Sequence, residues 1–296
     1  MSEIKSSLCI LAAGILWGIS PLFIKYFTSA GFSPEQMVFT RFLFAALLLS
    51  GWLAARNPSA LRFRLADVWY FIGTGIISTM LFSYCYFRTM EAANIALAAL
   101  LLYTSPIFVL FFSIVLFKER ITKRKLLAVA STVIGCAAIT GILTHGVPTV
   151  SLPVFLIGLG AGLTYSLYTI FGKYALKRYD SVTITVYTFI FAAAGTACLV
   201  PLQETFALYT KTATIFAGLG MAFFCSLASF SLYTLGLKNV SPGKAAVLAT
   251  MEPIVATLIG IAVFHEGMET ATFVGIALIL SATVLLSKPE TETSCQ

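Results

Sequence analysis

Residues 86–120 read YFRTMEAANIALAALLLYTSPIFVLFFSIVLFKER, and residues 233–267 read YTLGLKNVSPGKAAVLATMEPIVATLIGIAVFHEG. A shift of 147 positions carries Pro106 onto Pro253, Phe117 onto Phe264 and Glu119 onto Glu266. The same shift sets Ala98, Ala99, Leu101, Ile107 and Ile114 on Ala245, Ala246, Leu248, Ile254 and Ile261. Apolar coincidences are cheap where the alphabet is small, but a Pro and a Glu thirteen residues apart in both copies are not. The chain reads as an internal duplication.

Composition says where such a chain lives. Of its 296 residues 59% are hydrophobic and 10% charged, against roughly 25% charged in a soluble domain. The charges cluster, leaving apolar stretches of about 20 residues, the length that crosses a ~30 Å hydrocarbon layer. The pattern predicts ten spans, at about 7–27, 34–55, 67–88, 93–117, 123–143, 153–173, 181–201, 213–236, 242–264 and 269–287. Turn and capping residues mark the breaks: Ser33-Pro34, Asn57-Pro58-Ser59, Thr122 and Ser241-Pro242-Gly243. Lys5 before an apolar run imitates a secretory signal. That run holds Trp17 and Pro21 and no small-residue cleavage site, so it is expected to remain as the first span.

Orientation follows from the basic residues. With the N-terminus inside, the inner loops and span ends hold Lys5, Arg56, Arg62, Arg64, Lys118, Arg120, Lys123, Arg124, Lys125, Lys173, Lys177, Arg178, Lys238, Lys244 and Lys288. The outer side holds only Lys25, Arg88 and Lys211, and Arg41 lies within a span. Fifteen against three places both termini in the cytoplasm. Each half has five spans, an odd number, so the second half must enter from the opposite side. The expected fold is therefore an all-α polytopic membrane protein, ten transmembrane helices arranged as two inverted five-helix repeats. The first repeat spans 8–142, the second 152–287, and 288–296 form a short cytoplasmic tail. The starts of the halves agree too: Gly14, Trp17, Lys25 and Tyr26 fall on Gly162, Tyr165, Lys173 and Tyr174 at a shift of 148.

Trp17-Gly18 followed by Lys25, Arg41 in the second span, the Pro106…Glu119 end of the fourth and Glu252-Pro253…Glu266 in the ninth resemble EamA-type repeats of the drug/metabolite transporter superfamily. The resemblance covers nearly the whole chain. It implies a ten-helix carrier with a central cavity, exporting or exchanging small metabolites from a bacterial inner (plasma) membrane, and it names no substrate.

Several residues are candidates for that work. Pro106 and Pro253 lack an N–H and free the carbonyls of Leu102 and Ala249, giving either a fixed kink or a hinge. Glu119 and Glu266 end their spans, as capping or ionic contacts to the next helix or as gates. Gly14/Gly18 and Gly158/Gly162 allow close helix approach within one chain. Polar groups at membrane depth are costly unless paired or wet. Trp17, Tyr103, Tyr165, Tyr168 and Glu252 fall near span centres, and Arg41 in an outer half, so these six are the expected substrate path. Arg41 and Glu252 suit an amphipathic solute such as an amino acid or related compound, or they neutralise each other. Glu252 would also serve to couple protons.

Catalytic and metal-binding patterns are not found. His145 and His265 are the only histidines, His265-Glu266 lacks the second His of a helical zinc site, and there is no Walker loop. The six cysteines, Cys9, Cys85, Cys136, Cys198, Cys225 and Cys295, have no metal-ligand spacing. No cofactor, no metal and no nucleic acid is expected. The partners are a small-molecule substrate and the bilayer, with the chain a monomer or homodimer. The alternatives are an intramembrane enzyme and a non-transporting scaffold or channel.

Overall fold

The computed structural model describes residues 2–267 and 269–287, so the tail expected at 288–296, with Lys288 and Cys295, lies outside the described residues. The described chain forms ten helical spans and no strand. These are α1 (Glu3–Ser29), α2 (Pro34–Arg56), α3 (Leu65–Ala92), α4 (Ile95–Phe117) and α5 (Lys123–Ile139) in the first half. In the second half they are α6 (Leu152–Ala175), α7 (Ser181–Ala197), α8 (Thr212–Leu237), α9 (Pro242–Phe264) and α10 (Thr270–Ser287). Seven of them are long and apolar enough to cross a membrane, and α7 and α10 are shorter apolar helices. Local chemistry sets several starts. Ser33 and Gln36 form a reciprocal capping box at α2, Asn94 accepts from Leu97 N at α4, and Thr122 accepts from Lys125 N at α5. Ser241 precedes α9 without a side-chain cap, and Pro242 supplies the first turn. The fifth span is shorter than expected because Gly141 turns left-handed (φ 73°) into a short helix, Ile142–His145.

The halves exchange under a pseudo-two-fold axis. α1 packs on α8 and α9, and α6 packs on α3 and α4. The self-related pairs, α2 with α7 and α5 with α10, run antiparallel. Phe42 stacks on Phe189 at 5.9 Å, while Thr183 and Tyr187 donate to Ala60 O and Leu61 O at the far end of α2. In the second pair, Gly135 lies against Gly275, Ala128 and Ala282 share one buried cluster, and the Arg124 guanidinium donates to Leu285 O. Equivalent helices that meet antiparallel need an axis perpendicular to them. The repeats are inverted.

Both copies of the Pro…Glu stretch are broken helices rather than bent ones. α4 stops at Leu102 and restarts at Ser105; α9 stops at Ala249 and restarts at Met251. α1 and α6 come very close to these breaks. A Cβ on Gly14 would stand 2.8 Å from Ala249 O, and one on Gly162 would stand 2.6 Å from Leu101 O and 3.3 Å from Leu102 O. Glycine thus lets the neighbouring helix cover backbone that proline has freed. α3 and α8 are also wound irregularly in equivalent places, as π-helix over Gly73–Met80 and Phe223–Ala228. One element departs from the symmetry: α1 breaks at Ile19 before Pro21, whereas α6 is continuous over Leu152–Ala175.

Outside, large apolar side chains such as Leu47, Phe111, Phe216 and Phe273 are exposed. Inside, threonines and serines are buried and turn their hydroxyls onto the preceding helical turn, as Thr185 does to Ser181 O and Thr196 to Ala192 O. That distribution suits a surface that meets lipid. Gly14→Val and Gly162→Val should each lower stability by about 1–3 kcal/mol through overpacking, read as a lower thermal midpoint in detergent. Gly51→Val, where an added Cβ meets nothing within 4 Å, should leave the midpoint nearly unchanged. Equal losses in all three would refute the close-approach role.

Candidate functional site

The centre of the bundle is an aromatic frame built twice. From α1 and α8, Trp17 meets Phe230 edge-on at 5.2 Å and Tyr233 at 5.4 Å. From α6 and α3, Tyr165 meets Phe82 edge-on at 5.2 Å. The repeat shift carries Trp17 onto Tyr165 and Phe82 onto Phe230, so these are one contact seen in both halves. Tyr168 ties the copies together, at 5.1 Å from Phe230 and 5.9 Å from Tyr233. Its hydroxyl pairs with Thr234 Oγ1 at 2.6 Å, and the Tyr233 hydroxyl pairs with Thr169 Oγ1 at 2.6 Å. Satisfied in this way, the buried hydroxyls cost little and hold the rings in place.

The charges do not follow the two-fold. Arg41 on α2 faces Thr188 or Phe189 as its counterpart, and Glu252 on α9 has Ser105. Arg41, Trp17, Ser78, Thr79, Phe82, Tyr165, Tyr168, Thr169, Phe230 and Tyr233 line a cavity of about 30 Å3, enough for about one or two waters. Arg41 Nε is buried there without a hydrogen-bond partner, and the guanidinium carbon lies 4.6 Å from the centre of the Phe42 ring. Glu252, half-buried, interacts with the Tyr165 hydroxyl and feels the Arg41 charge. No direct ion pair joins the two among the described residues. A cation with an unused donor thus lines an aromatic-walled space, and a carboxylate stands behind the Tyr165 wall of it.

Four of the six expected path residues, Trp17, Arg41, Tyr165 and Tyr168, line this cavity. Glu252 joins them through Tyr165 and Arg41. Tyr103 stands one layer away, packed with Cys136, Ile254 and Ile279 and within electrostatic reach of Glu252. Sequence reasoning missed Phe82, Phe230, Tyr233, Ser78, Thr79 and Thr169. The duplication carried a signal for the first three: Phe82 falls on Phe230 at a shift of 148, and Tyr86 on Tyr233 at 147. A wider surface groove of about 480 Å3, lined by Arg62, Arg64, Asp67 and Arg178, lies away from this centre. No group of three or more metal-ligating side chains occurs among the described residues.

The two prolines sit in the first turn of each restarted half-helix, Pro106 after Ser105 and Pro253 after Glu252. Glu119 and Glu266 share a backbone device. The preceding residues, Lys118 and His265, are left-handed (φ 54° and 57°), and the Glu N–H groups donate to Ser113 O and Gly260 O, both at 3.1 Å. Their side chains differ. Glu119 is buried against Lys125 at 3.2 Å and accepts from Gly243 N at the start of α9, whereas Glu266 is exposed and folds over Gly260. Outside the spans, hydrogen bonds from His145 and then Thr144 hold the Glu269 carboxyl below its usual range, tying the α5–α6 connection to α10.

Glu119→Gln removes the negative half of a buried ion pair and should cost about 3 kcal/mol. Glu266→Gln, at an exposed position, should cost about 0.5 kcal/mol or less. Chemical denaturation in detergent measures both, and equal costs would contradict the assigned burial.

Comparison with known proteins fits this geometry. The EamA-like transporter family matches residues 4–141 and 152–288, one repeat on each half. An uncharacterized transporter of Archaeoglobus fulgidus is 29% identical over 203 residues, covering 68% of this chain and 70% of its own. The uncharacterized inner membrane transporter YicL of Salmonella typhimurium is 25% identical over 298 residues, covering 96% of this chain and 95% of its own. A solved crystal structure superposes with a TM-score of 0.79 at 19% identity over 96% of each chain, a likeness of fold. With both halves matched and the inverted pair of broken helices at its centre, this chain belongs to the EamA-like transporter family.

Proposed function

We propose that the protein is a secondary-active transporter of a small amphipathic solute carrying both charges, an amino acid or related compound, working by alternating access as an exporter or exchanger. The observation that carries this reading is the pair of asymmetric charges in a symmetric frame. Arg41 and Glu252 have no charged counterparts in the opposite repeats, while Trp17 and Phe82 have aromatic counterparts in Tyr165 and Phe230. Charges at membrane depth are expensive, at about 3 kcal/mol each even on mild scales. Packing and symmetry do not call for them. A zwitterion would place its carboxylate at the free Arg41 Nε, its ammonium at Glu252 and its apolar part among Trp17, Tyr168 and Phe230. At about 30 Å3 the present cavity is too small for such a solute, so the helices around it must separate for loading.

Glu252 supplies the coupling in this scheme. A carboxyl group that binds a solute cation in one state and a proton in the other links the solute to the proton gradient. It stands directly before Pro253, where a change of charge bears on the broken helix. Glu252→Gln keeps the shape and fixes the group as neutral. Reconstituted into liposomes, this variant should lose gradient-driven accumulation by at least about tenfold, a loss of 1.4 kcal/mol in driving force, and should lose pH dependence, while slow exchange persists. Screened against amino acids, nucleosides and cationic drugs, unchanged accumulation and pH dependence would remove Glu252 from the mechanism. An absence of counterflow for the wild type with every solute class would favour a scaffold.

The basic end of the bundle, where Lys125, Lys173 and Lys244 lie, is assigned to the cytoplasm by the positive-inside bias. Reporter fusions after Arg64, Arg124, Lys177 and Lys238 should read cytoplasm, and fusions near Ser33 and Pro148 the other side. A cytoplasmic reading at Ser33 would invert the assignment.

A further inference from the structure

The fold obeys its two-fold axis, but the contacts at its two ends do not. Near the end of α6 the Lys173 ammonium donates to Leu237 O at 2.7 Å and Val240 O at 2.8 Å, with Lys238 O at 3.4 Å. These carbonyls finish α8, where C=O groups lack intrahelical partners and the helix dipole is negative. Three donors meet three acceptors, and α6 is tied to the α8–α9 turn.

The repeat makes a definite demand of the opposite end. Lys25 is the counterpart of Lys173, and residues 90–93 at the end of α3 are the counterparts of 237–240. Symmetry would have Lys25 cap the end of α3. Instead Lys25 is exposed, its ammonium 3.9 Å from the centre of the Phe264 ring at the end of α9. Phe264 corresponds to Phe117, and at the basic end Phe117 is occupied by Tyr174, ring to ring at 4.8 Å. One lysine holds carbonyls and its twin holds a ring.

The polar contacts near the ends of α8 and α3 differ as well. At the basic end Lys244 reaches Glu3 at 2.7 Å, Glu119 joins Lys125 and the start of α9, and Asn239 donates to Ser6 Oγ. All of them bridge separate spans. At the far end of α3, the Arg88–Glu91 pair stays within its own helix and is exposed. The opposite end has its own bridges, Tyr26 to Thr214 and Glu269 to Thr144 and His145. Among the described residues, however, no lysine caps the carbonyls that end α3 as Lys173 caps those that end α8.

An inverted repeat reaches its second conformation when each half takes the shape of the other. Applied to these contacts, the exchange moves Lys25 onto the carbonyls that end α3 and releases Lys173 towards Phe117. We propose that Lys173 and Lys25 are alternating latches, one for each end of the bundle, and that this conformation is the one with the Lys173 latch made. The proposal rests on the alternating-access reading. Each cation changes between a carbonyl cage and an aromatic face, so neither is stranded in either state. These are positioning residues, remote from the solute.

The test is amide hydrogen exchange on the full chain in lipid nanodiscs, comparing wild type with Lys173→Met and Lys25→Met, alongside counterflow in liposomes. Residues 233–243 report the basic end and residues 86–95 the opposite one. Lys173→Met should raise exchange over 233–243 and lower it over 86–95, each by about twofold or more as the population shifts. Lys25→Met, at an exposed position that tolerates substitution, should do the reverse. A simple helix cap at Lys173 would raise exchange at its own end only, and Lys25→Met would then change neither segment. That outcome overturns the latch even if Lys173→Met fails to fold. The two readings fail separately. Wild-type counterflow without reciprocal shifts sinks the latch alone, and reciprocal shifts without counterflow for any solute sink the transport reading.

Discussion

The structure depends on what happens to the carbonyls that two prolines set free. Pro106 and Pro253 cannot donate an N–H, so α4 and α9 each break about a third of the way along. In a hydrocarbon environment, freed carbonyls are tolerated only where protein or water covers them. Gly162 and Gly14 provide that cover by bringing α6 and α1 to backbone distance. The contact sets the spacing of the whole centre. Because α1 is pressed against the break in α9, Trp17 reaches Phe230 and Tyr233 three residues further on; because α6 is pressed against the break in α4, Tyr165 reaches Phe82. The aromatic frame follows from the broken helices, and the cavity from the frame.

Much of this was legible in the sequence because it obeys periodicity or symmetry. The ten spans follow from apolar length, and the caps at Ser33 and Thr122 from side chains that accept backbone N–H groups. The inverted repeat follows from an odd number of spans per half. The glycines were legible as close approaches, and the repeat shift even contained Phe82 and Phe230. Other features were not. Proline predicts a freed carbonyl, but whether the helix bends or stops depends on neighbours at Gly14 and Gly162 that lie far away in sequence. Glu119 and Glu266 look alike in the chain, and only packing makes one a buried partner of Lys125 and the other an exposed residue. The π-helical turns in α3 and α8 leave no local signal, since their residues would serve equally in an α-helix.

The division between what is symmetric and what is not sorts the residues by role. A duplicated feature has been useful twice in opposite orientations, and building the fold is such a use. The prolines, the glycines, the left-handed ends at Lys118 and His265 and the ring pairs belong to this class. Arg41 and Glu252 do not, and a solute with distinct ends has no use for a symmetric pair of charges. Under the proposed zwitterion reading, a site that takes a carboxylate and an ammonium has to break the two-fold at its centre.

Lys25 and Lys173 form a third class, alike in sequence and unlike in contact. Such a pair cannot be explained by folding alone. If capping α8 were needed only to complete the fold, the same lysine in the same repeat position would be expected to cap α3. The carbonyls that end α3 are chemically the same as those that end α8, so the difference lies in where the helices stand. A two-fold sequence adopting a one-sided set of contacts has, by its own symmetry, a second set of similar make-up available to it. The energies of the two sets differ by what the repeats do not share, among them the break in α1 at Ile19, the Lys244–Glu3 pair, the burial of Glu119, and the charges of Arg41 and Glu252. Occupancy of the central site acts on the last of these terms, and that is how binding at the centre would select which end is fastened.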